Sequence, residues 1–280
     1  MSRLYETLRR TEMQRGKADP VQIASLQPVE LLNSAMAEPA ELEGTRTAKV
    51  EVSLKMRLVA LTDPRGLGAE KFRALVTRLE NQRKRRDLKS LQITSAVCDE
   101  GKTLIAGNLG ATLAKHTGSR VLVVDGDLHE PTLASLFGLD RLEGIGQWWS
   151  AREGKEAISR YVYRLNEIPL WFLGAGATSE PPSQVLQSAR FAEAFVRLAS
   201  CFDWIVVDST PMFPIVDVNL WSRLVDGTLL VVREGVTPIR ALKKGLASLD
   251  DPKFVGIVLN EASEFDRTTY ADQYYPASRS

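Results

Sequence analysis

The stretch Leu91 to Gly110, LQITSAVCDEGKTLIAGNLG, decides how this chain folds. Leu91–Thr94 is a short apolar strand that passes through a tight polar loop into an apolar-periodic helix, and the loop ends in Gly101-Lys102-Thr103. Strand, loop and helix in this order form a phosphate-binding P-loop. Backbone N–H groups and the positive end of the helix dipole then cradle phosphate. In that role Lys102 reaches the outer phosphates and the Thr103 hydroxyl ligates Mg²⁺. Two positions depart from the motif: Ala96 stands at its usual first glycine, and Asp99 stands two residues before Gly101.

Outward from that stretch the chain alternates strand and helix. The helix Thr103–His116 ends at Thr117-Gly118 and leads into the apolar strand Val121-Leu122-Val123-Val124. Two buried strands flanking one helix form a right-handed βαβ unit in a parallel sheet. Further strands are predicted at Leu170–Leu173, Trp204–Val207, Thr228–Val232 and Val255–Leu259, with helices at Ser188–Cys201 and Pro238–Leu249. Upstream, Ala69–Gln82 is a helix with Phe72, Leu75, Val76 and Leu79 on one face; the Arg83–Arg86 run after it reads as a solvated helix end. The fold class is therefore α/β, a doubly wound and mainly parallel sheet of P-loop NTPase type.

Residues 1–62 read as an N-terminal helix (Met1–Glu12) and a flexible linker, with a helical piece near Val29–Met36. Residues 63–263 form the P-loop domain, and residues 264–280 a tyrosine-containing tail. Lys and Arg number 36 against 35 Asp and Glu, so bulk charge points to no nucleic-acid partner. Two cysteines, Cys98 and Cys201, with no signal peptide or apolar run of spanning length, point to the cytoplasm.

Ligands of an open parallel sheet lie beyond the carboxyl ends of its strands, and two strands end there in acids. VLVVDGDLHEP places Asp125 and Asp127 past the second strand, and WIVVDSTP places Asp208 past a later one. Carboxylates facing Lys102 and Thr103 hold Mg²⁺ through its waters, orient a nucleophile or accept a proton.

From Asp63 to Asn260 the chain resembles the bacterial tyrosine kinases of exopolysaccharide synthesis, within the MinD/ParA-like ATPase group. TSAVCDEGKT is similar to their Walker A loop, VLVVDGDLHEPTL to their second Walker motif and IVVDSTP to their Walker B. AEKFRAL is similar to an oligomerisation helix, LWFLGAG and PPSQVLQS to a connecting segment, and VVREGVT and GIVLN to the last strands. Val97 occupies the place of the additional lysine of partition ATPases, which favours the kinase branch. The resemblance implies ATP and Mg²⁺ as cofactors, with the nucleotide bound along Cys98, Asp99, Glu100, Gly101, Lys102, Thr103 and Leu104 and its adenine edge met by Asn260. It implies Lys102, Asp125 and Asp127 as catalytic residues, and Thr103, Asp125 and Asp208 on the metal side. Glu70 and Arg73 would bridge protomers of a homo-oligomer.

The family phosphorylates tyrosines at its own C-terminus. Tyr270, Tyr274 and Tyr275, three of the six tyrosines, fall in the last eleven residues here and are the implied phosphoacceptors. Tyr161 and Tyr163 are expected to pack inside the domain. The implied partner is a membrane-bound polysaccharide co-polymerase or activator, which would recruit the chain to the inner face of the plasma membrane. Against the family pattern, Asp99 replaces a glycine, His129 an arginine, and Val76 the last arginine of the oligomerisation helix. The alternatives are a nucleotide-dependent switch without kinase activity, or a MinD-like positioning ATPase.

Overall fold

The computed structural model describes residues 42, 45–50, 57–139, 142–151, 157–166, 168–213, 217–248 and 251–262. The expected helix Met1–Glu12, the helical piece at Val29–Met36 and the tyrosines Tyr270, Tyr274 and Tyr275 lie outside them. In chain order the elements are β1 (Arg46–Ala48), α1 (Val59–Thr62), α2 (Leu67–Arg83), β2 (Ser90–Ser95), α3 (Lys102–Thr117), β3 (Val121–Asp125), α4 (Leu133–Leu136), α5 (Ile145–Ser150), β4 (Val162–Leu165) and β5 (Leu170–Leu173), then α6 (Pro182–Gln187), α7 (Ala189–Ser200), β6 (Trp204–Asp208), α8 (Asp217–Leu224), β7 (Gly227–Arg233), α9 (Ile239–Ser248) and β8 (Phe254–Asn260).

The strands form one sheet in the order β1-β4-β5-β3-β6-β2-β7-β8. From β5 to β8 every pairing is parallel, while β4 runs antiparallel to β5 and β1 follows β4. The expected doubly wound, mainly parallel architecture is thus present, with a reversed pair added at one edge. The chain crosses to one side of β2 for β3 and β5, and to the other for β7 and β8. The loop after β2 therefore sits at the topological switch, where ligands of such sheets bind.

Central strands are buried on both faces, which explains the apolar runs of β3 and β6; β2 is buried likewise and carries Gln92, whose Nε2 donates to Ser209 Oγ and the Val218 carbonyl. Alternate residues go to opposite layers: Val121, Val123 and Val206 pack under Leu109 and Leu113 of α3 and Leu79 of α2. Leu122, Val124, Ile205 and Val207 pack under Phe191, Phe195 and Leu198 of α7 and Trp221 of α8. Trp221 stands edge-on to Phe191 and Phe195, with ring centroids 5.6 and 5.7 Å away. Tyr161 and Tyr163 are buried, as expected.

One sequence expectation needs correction and a second holds in part. Part of the stretch expected as linker belongs to the domain: β1 pairs with β4 through Arg46–Tyr163, Thr47–Arg164 and Ala48–Leu165, and Leu42 and Leu58 are fully buried. The buried amide of Asn108 on α3 holds this segment, accepting from the Ala60 N–H at 3.2 Å and donating to the Arg57 carbonyl at 3.0 Å. Within the basic run Lys84 and Arg85 are exposed, as expected of a helix end, but Arg83 is not fully solvated: its guanidinium lies 4.9 Å above the Trp204 ring while Trp204 Nε1 donates to Glu80.

Candidate functional site

The P-loop is the turn from β2 into α3. Gly101, the residue before α3, has φ 89°, and an added Cβ would lie 2.3 Å from Asn260 Nδ2, so the position accepts only glycine. No side chain caps the start of α3, which leaves its first N–H groups for a ligand. Asp99 also adopts the left-handed region, with φ 61°. The chain keeps there the conformation a glycine would provide, at a cost of about 1 kcal/mol for a residue with a side chain. Its side chain is exposed, as is Cys98.

Glu100 is the loop residue whose role the sequence concealed. It is fully buried, and its carboxylate accepts the Val97 N–H at 2.8 Å and the Thr237 hydroxyl from the segment after β7. It staples the loop rather than facing a ligand. Asn260, expected at the adenine edge, lies against the P-loop. Its Nδ2 donates to the Glu100 carbonyl at 2.9 Å and so holds the loop, while its Oδ1 accepts the N–H of the next residue, Glu261, at 3.0 Å. Leu104 sits half-buried in the first turn of α3.

The acids meet at the strand ends. β3 and β6 are in register with Asp125 directly opposite Asp208, and both side chains are buried. Asp125 Oδ2 accepts the Leu133 N–H at 3.1 Å, whereas Asp125 Oδ1 and both oxygens of Asp208 have no hydrogen-bond partner. Burial pushes the Asp125 carboxyl up to about 8, with the Asp208 charge adding to the rise and the Leu133 N–H opposing it. Burial likewise raises Asp208 to about 7; Lys102 and the nearby Thr103 hydroxyl pull it down, and Asp127 pushes it up. Thr103 completes no hydrogen bond to Asp208, its Oγ1 lying 3.3 Å from the Thr132 hydroxyl.

Asp127 holds Lys102, with Oδ2 at 3.4 Å from Nζ, while its Oδ1 accepts the Glu130 N–H at 3.0 Å. Gly126 lets Asp125 and Asp127 flank one point of the backbone. Its N–H donates to the Asp208 carbonyl at 2.8 Å, its carbonyl accepts Trp221 Nε1 at 3.0 Å, and a Cβ there would meet the Asp208 carbonyl oxygen at 2.8 Å. Gly126→Ala is therefore expected to cost about 2 kcal/mol of stability, measured by denaturant unfolding, because the contact is with backbone and cannot rotate away. His129 Nε2 lies 2.9 Å from Asp217 Oδ2 at the start of α8, a partner no sequence pattern announced.

Lys102, Thr103, Asp125, Asp127 and Asp208 thus gather at one place as expected. Glu70 and Arg73 pair with each other on the exposed side of α2, at 2.6 Å, and Arg73 also donates to the Pro64 carbonyl. Val76 is buried. Each three-residue step falls short of a full helical turn, so position 76 has rotated by roughly 120° from position 70, into the core.

The donor set fits phosphate with Mg²⁺. Buried carboxylate oxygens without partners require a cation or protons, and Mg²⁺ is held by one or two carboxylates together with phosphate oxygens and water. The uncapped start of α3 and Lys102 supply the matching anion site.

No family model matches the chain. It is 29% identical over 209 residues to the tyrosine-protein kinase YwqD of Bacillus subtilis, covering 74% of this chain and 86% of that protein. It is 28% identical over 220 residues to the succinoglycan biosynthesis transport protein ExoP of Rhizobium meliloti, covering 78% of this chain and 28% of ExoP. Among solved structures, the chimerical protein CapA2B2 superposes with a TM-score of 0.68 at 24% identity, over 84% of this chain and 99% of the other. The kinase domain of the Escherichia coli tyrosine kinase ETK does so with 0.63 at 22%, over 81% and 97%. MinD of Pyrococcus horikoshii complexed with Mg-ADP reaches 0.50 at 21%, over 61% and 70%. Sequence likeness and shared fold point the same way: the chain resembles the bacterial tyrosine-protein kinases, on a P-loop scaffold common to them and the MinD-like ATPases.

Proposed function

We propose that the chain is an ATP-dependent protein-tyrosine autokinase serving exopolysaccharide or capsule synthesis or export. The observation that carries this is the pairing of Asp125 with Asp208, buried and short of partners, beside Lys102 and an uncapped P-loop helix. The reaction breaks the bond between the γ-phosphorus and the bridging oxygen of ATP and forms one to a tyrosine oxygen, releasing ADP. Lys102 balances charge on the outer phosphates, and the N–H groups at the start of α3 orient them. Asp125, whose Oδ1 is buried without a partner, accepts the phenolic proton once the neighbouring cation has drawn its carboxyl into the ionised form. Asp127 keeps Lys102 at the site. Thr103 and Asp208 would hold Mg²⁺, which when bound would neutralise part of the phosphate charge.

Tyr270, Tyr274 and Tyr275 are the acceptors, presented by a neighbouring copy whose contact uses the α2 face bearing Glu70 and Arg73. Each phosphate adds nearly two negative charges and loosens that contact by repulsion. The likeness to ExoP, a transport protein of polysaccharide biosynthesis matched over about a quarter of its length, supports a membrane-bound polysaccharide partner. Among the described residues no helix is long and apolar enough to cross a membrane, in keeping with recruitment by that partner.

Purified protein incubated with Mg·ATP and analysed by mass spectrometry is expected to carry phosphate on one or more of the three tail tyrosines. Nucleotide binding with an unmodified tail, with and without the co-expressed membrane partner, would instead establish the non-kinase switch.

A further inference from the structure

Two consecutive peptide groups of the P-loop are held by side chains from the last two strands. Arg233 Nη1 at the end of β7 donates to the Asp99 carbonyl at 3.3 Å, and Asn260 at the end of β8 donates to the Glu100 carbonyl at 2.9 Å. A trans peptide is planar with its C=O and N–H opposed. Fixing the Asp99 and Glu100 carbonyls therefore fixes the directions of the Glu100 and Gly101 N–H groups, the amides on either side of the left-handed turn. Successive N–H groups held this way form an anion-binding nest.

Arg233 is itself anchored. Its Nε and Nη2 reach Glu261 Oε2 at 2.7 and 2.5 Å, and its backbone N–H donates to the Thr237 hydroxyl, which in turn donates to the buried Glu100 carboxylate. One planar guanidinium thus spans from Glu261 to the carbonyl of the residue that lacks glycine's freedom. A glycine at 99 would enter the left-handed region without cost; an aspartate enters it at a cost that an outside hold on its peptide group offsets.

We infer that Arg233, anchored by Glu261, is a positioning residue for phosphate binding that compensates for Asp99 in the P-loop. The inference rests on the reading of this loop as the ATP site. It makes Arg233 matter only because residue 99 is not glycine.

The test is a double-mutant cycle on the full chain with Arg233→Ala, Asp99→Gly and the pair, measured two ways. By calorimetry, Arg233→Ala is expected to weaken Mg·ATP binding about tenfold, the loss of a charged hydrogen bond. Asp99→Gly is expected to tighten binding about threefold by removing strain and a negative charge near phosphate. In the Asp99→Gly background, Arg233→Ala is expected to change affinity by less than about twofold. In the autokinase assay the single Arg233→Ala variant raises KM for ATP while kcat holds. The second measurement is hydrogen exchange of the Glu100 and Gly101 amides without nucleotide, which Arg233→Ala should speed and Asp99→Gly should restore. Equal losses from Arg233→Ala in both backgrounds, or none in either, overturn the inference. If the wild-type chain binds no ATP, the reading of the site fails, and the exchange cycle alone decides whether Arg233 holds the loop.

Discussion

Lys102→Met is expected to lower tail phosphorylation by about 10³-fold, the largest loss available from a single charge in this site. The side chain is mostly buried and its ammonium faces Asp127 at 3.4 Å, so it acts in a medium less polar than water, where a charge counts for more. Methionine matches the length of the stem and removes only the head. Three consequences add: the outer phosphates lose their balancing charge, Asp127 loses its ion-pair partner, and Asp208 loses the cation that draws its carboxyl downward. Asp127 keeps the Glu130 N–H and does not become an orphan, so the fold should survive with a penalty of about 1 kcal/mol. The check is mass spectrometry of the C-terminal peptide together with denaturant unfolding of the same variant. A stable Lys102→Met protein whose tail is phosphorylated as fast as the wild type would mean that another enzyme modifies the tyrosines.

What could be seen in the sequence divides along the range of the interactions. The central strands β3 and β6 could be seen because burial on both faces demands continuous apolar runs, and VLVV and WIVV supply them; β2, SLQITS, was placed by the P-loop that follows it. The acids at the ends of β3 and β6 could be seen for the same reason, since each interrupts such a run where a parallel sheet opens to ligand. Strands β1 and β4 could not. They span only three and four residues, RTA and VYRL, with arginine on an exposed side, and β4 owes its reversed direction to pairing with β5 rather than to its own residues. The loop's supports were hidden because each joins positions far apart: Arg233 reaches Asp99 across 134 residues, and Asn260 reaches Glu100 across 160. Asn260 is placed by sequence at the end of the last strand, beside the nucleotide site, and only the packed structure directs its amide to the loop. Asp99 at the place of a glycine was visible as a departure, but nothing local to it pointed to either support.

Asp208→Asn is expected to move activity and stability in opposite directions. Phosphoryl transfer should fall by about 10³-fold, because the metal-side carboxylate is gone and an amide binds Mg²⁺ poorly. The nucleotide-free protein should become more stable at neutral and alkaline pH. The sign follows from linkage. Burial raises Asp208 to about 7 and Asp125 to about 8, both above their usual value of 3.8, so the folded state binds protons that the unfolded state has released. Stability is then full below about pH 4 and is lost as pH rises towards about 8, where both groups must ionise in a buried place beside each other. At roughly 1.4 kcal/mol for each unit, Asp208 alone withholds no more than about 4 kcal/mol, a share it divides with Asp125 because the two titrate as a pair. Asparagine at 208 cannot ionise, so it removes the mutual repulsion and flattens the slope; Asp125→Asn should act in the same direction. Melting curves between pH 5 and pH 9, with and without Mg·ATP, provide the measurement. Mg·ATP should raise the wild-type melting temperature more at pH 8.5 than at pH 6, since a cation relieves only carboxylates that have lost their protons. A nucleotide-free stability that does not change across this window, or an Asp208→Asn protein that still transfers phosphate at the wild-type rate, would show that the paired acids do not form the cation site at the strand ends.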